Sequence, residues 1–360
     1  MVRAAYLFGV FLVIALAILS TVNFVEGLNP GAVGYDFRGA YLPAAHDVRG
    51  GESPYPQVEG PALASHNAYV YPPLLAYALI PFIILSQNAA IVLAVIGVAA
   101  LLVGTLAVLG VRDVRCYAAM FLWAPTVNVL HTASASVLVA FAAALAWRYR
   151  ATLFPLGVTV GLGIATKLIL WPLFAWTAAT GRLRATGLAM VVGGGITLLL
   201  WSLLGFDGLG RYPAILRRLA ELEAEESYSL VGGFAALGLG DVGARVLAFA
   251  FGIVLVGACV AFARRGDDFR SFTFALAASL AFTPIVWLHY LVLLLVPLAI
   301  ARPRFSAVWL MPLLLFLTPL NGNGESIQPL LPAFVAAAVF ALVLAEPEPR
   351  PLEARWLIDN

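Results

Sequence analysis

An apolar run that keeps returning constrains this chain more than any other feature. Residues 7 to 25, LFGVFLVIALAILSTVNFV, are long enough to cross about 30 Å of hydrocarbon as one helix, and similar runs recur to the end of the sequence. A water-soluble domain carries about 25% charged residues; here the fraction is 11%, against 62% hydrophobic residues. The sequence therefore predicts an all-α polytopic membrane protein, because a helix satisfies its own backbone in hydrocarbon. Arg3 precedes the first run as a signal peptide's basic residue would, but the run is too long and no small-x-small cleavage site follows, so it reads as an uncleaved anchor. Cys116 and Cys259 fall at or inside predicted spans and make no disulfide framework.

Short arginine clusters separate the runs: Arg112 and Arg115, Arg148 and Arg150, Arg182 and Arg184, Arg264 with Arg265 and Arg270, then Arg302 and Arg304. The positive-inside rule puts all five in the cytoplasm, so an even number of crossings separates one cluster from the next. Residues 114–147, 152–180 and 271–301 then form hairpins of short or tilted spans, turning outside near Asn128 to Ser134, near Lys167 and near Thr283 to His289. One span at about 186–206 leads out and another at about 244–263 returns; RYPAILRRLAELEAEE, between them, reads as an amphipathic interfacial helix. The same parity forbids a crossing by residues 69–85, where Pro72, Pro73 and Pro81 favour a short interfacial or re-entrant segment. The tail runs out at 305–320, turns at NGNGES and returns at 329–345. The expected architecture is a single domain over 1–345 with about 12 transmembrane helices and both termini inside. Outer loops cover 26–87, with juxtamembrane helices, and 207–243; a cytoplasmic tail covers 346–360.

On this threading the chemically able residues gather on the outer side. YDFRGAYLPAAHDVRGGESPY, residues 35–55, supplies Asp36, Arg38, His46, Asp47, Arg49 and Glu52. The hairpin turns add Asn128 and His131, Lys167, and His289 with Tyr290. Lys167 is the only lysine in the chain. At membrane depth it costs about 2.5 to 3.5 kcal/mol to insert, so it should meet an anion or water; it either snorkels to the headgroups or binds a lipid phosphate as a compact point charge. His289 is a satisfied core histidine, or it donates to a phosphate or moves a proton. Asn128 and His131 satisfy backbone at a helix break or contact substrate. Asp36 either caps a helix starting near Phe37 or serves as a general base toward a hydroxyl; Asp47 and Glu52 read as solvated. No phosphate-binding glycine loop with a Walker lysine occurs, so an ATP-driven pump is unsupported. The glycines of 157–163 suit close helix packing. No His/Asp/Glu cluster has ligand spacing, so neither a metal nor another cofactor is signalled.

Y-D-F-x-x-x-Y, then G-G-x-x-P-Y, then Y-x-Y-P-P-L with a later proline resembles the first outer loop of glycosyltransferase family 87, membrane enzymes of the C-type (GT-C) fold. The matching residues include Tyr35, Asp36, Phe37, Tyr41, Gly50, Gly51, Pro54, Tyr55, Tyr69, Tyr71 and Pro72. G-L-G-I-A-T-K at 161–167 resembles the family's lysine-bearing hairpin, and P-I-V-W-L-H-Y at 284–290 its Pro, Trp, His-Tyr segment. VLHTASAS stands where the family often has Gly-Gln-x-Asn, and Leu168 where a proline commonly follows the lysine. The resemblance implies an inverting transfer of a sugar, with mannose expected, from a polyprenyl-phosphate donor to a hydroxyl of a glycolipid or glycan. It implies Asp36 as general base, with Lys167, His289 and Arg38 on the donor phosphate. Tyr35, Tyr41, Tyr55, Tyr71, Tyr290, Asn128 and His131 would line the substrates, at the extracytoplasmic face of a bacterial plasma membrane, with no cofactor and no nucleic acid. The rival expectations are a lipid flippase or transporter, and an assembly protein that kept the fold without the chemistry.

Overall fold

The computed structural model describes residues 33–65, 67–223, 227–318 and 330–346, together with Phe11, Ala15, Ile18 and Val22 as helical positions. Most of the first predicted span, the NGNGES turn and all but the first residue of the 346–360 tail lie outside the described residues. The described chain is helical and contains no strand. In order come a π-helical turn Phe37–Tyr41, α1 (Leu42–Gly50), α2 (Pro61–Ala64), α3 (Leu74–Ala78), a 3-10 turn Ile80–Ile84, α4 (Gln87–Val108), α5 (Val114–Leu122), α6 (Ala124–Thr132), α7 (Ser136–Arg148) and α8 (Leu153–Thr166). A 3-10 turn Leu168–Leu170 leads to α9 (Leu173–Ala179), α10 (Leu183–Ser202), α11 (Tyr212–Leu222), α12 (Leu230–Ala236), α13 (Asp241–Arg264) and α14 (Asp268–Ala281). The 3-10 segment Leu288–Leu294 then continues into α15 (Leu295–Ala301), and the 3-10 segment Ala307–Leu317 precedes α16 (Leu330–Leu344).

Three helices, α4, α10 and α13, are each long and apolar enough to cross a membrane, and α6 with α7 passes the same test as a pair bent by 119°. Their apolar surface is largely uncovered: Val191 on α10 is 71% exposed and Val254 on α13 65%. Such faces are untenable in water and natural in lipid. Residues 69–85 form only α3, which starts after Pro72 and Pro73, and a short 3-10 turn with Pro81 in its first positions. The arm expected as one span after residue 114 is broken into α5 and α6, since Pro125 has no N–H to continue the first helix and Trp123 turns extended before it.

The glycines of α8 do what their spacing predicts. A Cβ on Gly161 would stand 2.7 Å from the Ala189 carbonyl oxygen, and one on Gly193 2.9 Å from that of Gly161, so α8 and α10 meet backbone to backbone.

At one end of the bundle the arginine clusters interlock. Arg182 holds Asp268 through two hydrogen bonds of 2.9 and 2.6 Å, and Arg150 approaches the same carboxylate at 3.4 Å. Arg270 donates to the carbonyls of Leu344 and Glu346, and Arg302 pairs with the Glu346 carboxylate. Asp113, itself paired with Arg115, accepts from the Phe305 amide. These contacts chain all five clusters to one face. Helices α7, α8 and α14, with 13, 14 and 14 residues, run about 20 Å from it, short of a full bilayer, and their far ends are the breaks before Ser136, at Lys167 and after Ala281.

A second apolar cluster lies over those breaks. Tyr55 stacks on Trp201 at 5.3 Å between ring centroids and meets Tyr69 and Tyr212 edge-on or tilted. The Tyr212 hydroxyl donates to the Val70 carbonyl at 2.9 Å, which fastens α11, and so the second loop, onto the first.

Candidate active site

Asp36 sits in helical backbone and makes no capping hydrogen bond, so the helix-cap reading does not hold. Residues five apart on an α-helix point about 140° away from each other. The π-type turn that follows Asp36, with its i→i+5 winding, instead brings Tyr41 onto the same face: the Tyr41 hydroxyl lies 3.4 Å from Asp36 Oδ2. It is also 3.2 Å from the Tyr71 hydroxyl and 3.4 Å from Ser134 Oγ. With one proton to donate, Tyr41 gives it to the carboxylate whenever Asp36 is ionised. The Gly34 amide donates to the His131 carbonyl at 2.6 Å, so the chain entering this turn is tied to the end of α6.

His289 faces Asp36 from the opposite wall. Its Nδ1–H donates to Asn128 Oδ1 at 2.9 Å, which leaves Nε2 without a hydrogen-bond partner and 3.8 Å from Asp36 Oδ2. With the proton on Nδ1, both Nε2 and the Asp36 carboxylate accept, so one hydroxyl donates to the carboxylate and a different hydroxyl donates to Nε2. Burial pushes the Asp36 carboxyl up to about 6, opposed by the Ser134 hydrogen bond, the Lys167 charge and the Tyr41 hydrogen bond. Its side chain keeps 18% exposure, the access a substrate needs.

Lys167 closes α8 in extended backbone and is 6% exposed. Its Nζ donates to Ser136 Oγ at 2.9 Å and lies 3.3 Å from the Tyr290 ring centroid and 5.3 Å from that of Tyr71. The ammonium is thus held by one hydroxyl and two aromatic faces, with Asp36 acting on it from further off. Ser134 and Ser136 join the two charges: Ser134 touches Tyr41 and Ser136 touches Lys167, with 3.4 Å between their own hydroxyls. Ala133, in the left-handed region at φ 51°, makes the sharp turn between α6 and α7 that aims this pair. Strain of this kind in a non-glycine residue persists where the surroundings over-determine it.

Two cavities meet at this cluster. One, of about 370 Å³, is lined by Tyr35, Asp36, Tyr41, Asn128, Glu223 and His289 among others. The other, of about 320 Å³, is lined by Lys167 and by apolar residues such as Leu168, Trp171 and Phe282. Val70, Tyr71, Leu219, Ile285 and Tyr290 line both, and the two tyrosines are the polar members of this shared wall. Arg38, His131 and Tyr55 line neither: Tyr55 belongs to the aromatic cluster above. His289 lines the carboxylate cavity, and Tyr290 touches both it and Lys167. Ser134, Ser136 and Glu223 were not singled out by sequence. The serines carry no charge in an apolar context, and an acid in an amphipathic helix reads as solvated.

The described chain is all-helical with uncovered apolar faces, and it holds a carboxylate and an imidazole in one cavity and a cation in the next. The sequence model of glycosyltransferase family 87 matches residues 69–288, and the chain belongs to that family. It is a membrane glycosyltransferase. The matched stretch contains Tyr71, Asn128 and Lys167 and ends one residue before His289, while Asp36 precedes it. No curated protein and no solved structure matches the chain.

Proposed function

We propose that the protein transfers a sugar, with mannose the expected one, from a polyprenyl-phosphate donor to a hydroxyl of a glycolipid or glycan, with inversion, at the extracytoplasmic face of a bacterial plasma membrane. The observation that carries this reading is the division of charge between the two cavities: Asp36 faces one and Lys167 the other, across the Tyr71 and Tyr290 wall. The acceptor hydroxyl sits against Asp36 and gives its proton to the carboxylate. Its oxygen forms the new bond to the anomeric carbon as the bond from that carbon to the phosphate oxygen breaks, and the electron pair leaves on the phosphate. Lys167 meets that growing negative charge from a preorganised, largely dry position. The apolar lining around Lys167 suits the first units of a lipid chain. A lipid phosphate is a sufficient leaving group, so no nucleotide enters the scheme. His289 serves the acceptor side, accepting through Nε2 from a second hydroxyl of the acceptor sugar, rather than the phosphate.

In this reading the short helices pair into spans around α4, α10 and α13, giving the GT-C bundle of about 12 crossings. All five arginine clusters then face the cytoplasm and the two cavities face out. Single cysteines at Ser65 and Arg265, both exposed, should react with a membrane-impermeant maleimide from opposite faces of intact cells and inverted vesicles. Labelling of both from one face would break the assignment. Cys116 and Cys259 are fully buried and contribute no background. The activity itself is tested by incubating the purified protein with a panel of polyprenyl-phosphate sugars and alkyl glycoside acceptors. The expected result is a glycosylated product from one lipid-linked donor, with no nucleotide sugar required. Turnover of nucleotide sugars alone would refute the lipid donor.

A further inference from the structure

Past Lys167 the second cavity is bordered by two aromatic rings. After the extended backbone of Lys167 the chain makes the 3-10 turn Leu168–Leu170. Residues three apart eclipse in such a turn, so Leu168 and Trp171 fall in one column, and both line the cavity at 42% and 41% exposure. The other ring is Phe282, which closes α14 two positions before Pro284, whose missing N–H ends the helix. The two rings pack at 4.9 Å between centroids, and Phe249 of α13 meets Phe282 edge-on at 5.4 Å. A Cβ on Gly252, also of α13, would lie 2.7 Å from two atoms of the Phe282 ring, well inside the optimum carbon separation of about 3.5–4.0 Å. The ring is therefore seated on α13 where glycine leaves room for it. Polar groups on this side are already used: the Thr283 hydroxyl donates to the Ser279 carbonyl at 2.7 Å, and that of Tyr212 to the Val70 carbonyl. What the cavity offers here is chiefly hydrocarbon contact, and the half-exposed Leu168 and Trp171 open it toward the lipid-facing surface.

We infer that Trp171 and Phe282 form an aromatic shelf that holds the first isoprene units of the donor chain, and that Gly252 is a positioning residue for it. Gly252 touches no substrate; it fixes where the shelf stands, and so the fit of the chain that brings the phosphate to Lys167. The inference rests on the lipid-donor reading above and adds the residues that select the chain, one of them on a span whose other faces meet only lipid or packing neighbours. A side chain at position 252 displaces the Phe282 ring and with it the contact to Trp171, while the carboxylate cavity, which neither ring lines, is untouched.

The test uses the full-length protein in nanodiscs and two probes that share a head group, farnesyl phosphate and methyl phosphate, each scored by displacement of radiolabelled farnesyl phosphate. Wild type is expected to bind the farnesyl probe at least about a hundredfold more tightly, from burial of its chain. Trp171→Ala should weaken that probe about tenfold, the scale of uncovering about two methylene groups, and Gly252→Ala by a similar factor, while methyl phosphate changes by less than about twofold in both. Adding Phe282→Leu to Gly252→Ala makes room for the new Cβ and should return farnesyl phosphate to within about threefold of wild type, a rescue that a general loss of packing would not show. Binding of decyl α-mannoside, an acceptor analogue, should stay within about twofold in every variant. Wild type that binds both phosphates equally refutes the lipid donor and the shelf with it. A preference for the farnesyl chain that Trp171→Ala and Gly252→Ala leave intact overturns the shelf alone and leaves the lipid donor standing. Equal losses on both phosphates, or no recovery in the double variant, overturn the role of Gly252. Should Gly252→Ala fail to fold, the double variant and Trp171→Ala decide.

Discussion

Asp36→Asn is expected to lower kcat/KM by about 10²–10⁴-fold, the usual contribution of a positioned general base, with the protein still folded. The amide keeps the size and most hydrogen bonds of the carboxylate but cannot take the acceptor's proton. Stability should not fall. The carboxyl is held near 6, above its ordinary 3.8, so the folded state binds the proton more tightly than the unfolded chain. A raised value means that the group's contribution to stability is full below about 3.8, is lost as pH rises to about 6, and stays lost above. At pH 7 the ionised Asp36 therefore destabilises the fold by on the order of 2–3 kcal/mol, and Asp36→Asn should melt at the same temperature as wild type or higher. Catalysis runs the other way, because only the carboxylate is a base. In wild type, kcat/KM should fall about tenfold per unit below pH 6. Tyr41→Phe and Ser134→Ala each remove a hydrogen bond that lowers the Asp36 value and should move that limb to higher pH. Full transfer by Asp36→Asn would unseat Asp36, and an acid limb that ignores both neighbouring substitutions would assign it to another group. A flippase would not depend on this one carboxylate at all, so the same variant separates the two classes.

What the sequence discloses about this site is its charged corners. Asp36, Lys167 and His289 stand out because each interrupts or borders an apolar run, where an ionisable group is expensive and must have a purpose or a partner. The turns that carry them are equally legible, since prolines and polar residues mark where a helix cannot continue. The geometry between the corners is a different matter, because it depends on contacts far apart in the chain. Nothing local indicates that a π-type turn after Asp36 will stack Tyr41 beneath it, or that Ser134 and Ser136 will bridge from Tyr41 to Lys167, 31 residues beyond Ser136. Aromatic side chains are ambiguous for the same reason. Tyr41 and Tyr55 occupy one loop with similar surroundings in sequence, yet Tyr41 reaches the carboxylate while Tyr55 is consumed by stacking on Trp201, a residue of α10. Glu223 misleads in the opposite sense: the periodicity of α11 is that of an interfacial helix, whose acids ought to face water, yet this residue, which caps the helix, is buried.

Lys167→Ala should cost about 10²–10³-fold in turnover with a lipid-linked donor, the effect of deleting one preorganised stabiliser of transition-state charge. Binding of a soluble acceptor analogue should change by less than about twofold, because the acceptor occupies the cavity on the other side of Tyr71 and Tyr290. Arginine is not a substitute. The ammonium fits between Ser136 Oγ at 2.9 Å and the Tyr290 ring at 3.3 Å, and a planar guanidinium is too broad for that gap, so Lys167→Arg should recover little. Ser136→Ala tests the support of the charge rather than the charge itself. It removes one hydrogen bond, worth about 1 kcal/mol, so a loss of roughly fivefold confined to the donor is expected, with the acid limb set by Asp36 unmoved. The contrast with Ser134→Ala, which moves that limb and spares the donor, would assign two hydroxyls only two residues apart to two different substrates. Equal losses on donor and acceptor in Lys167→Ala would mean that the lysine maintains the wall between the cavities and does not meet the phosphate, and the division of charge on which the transfer scheme depends would no longer have a chemical meaning.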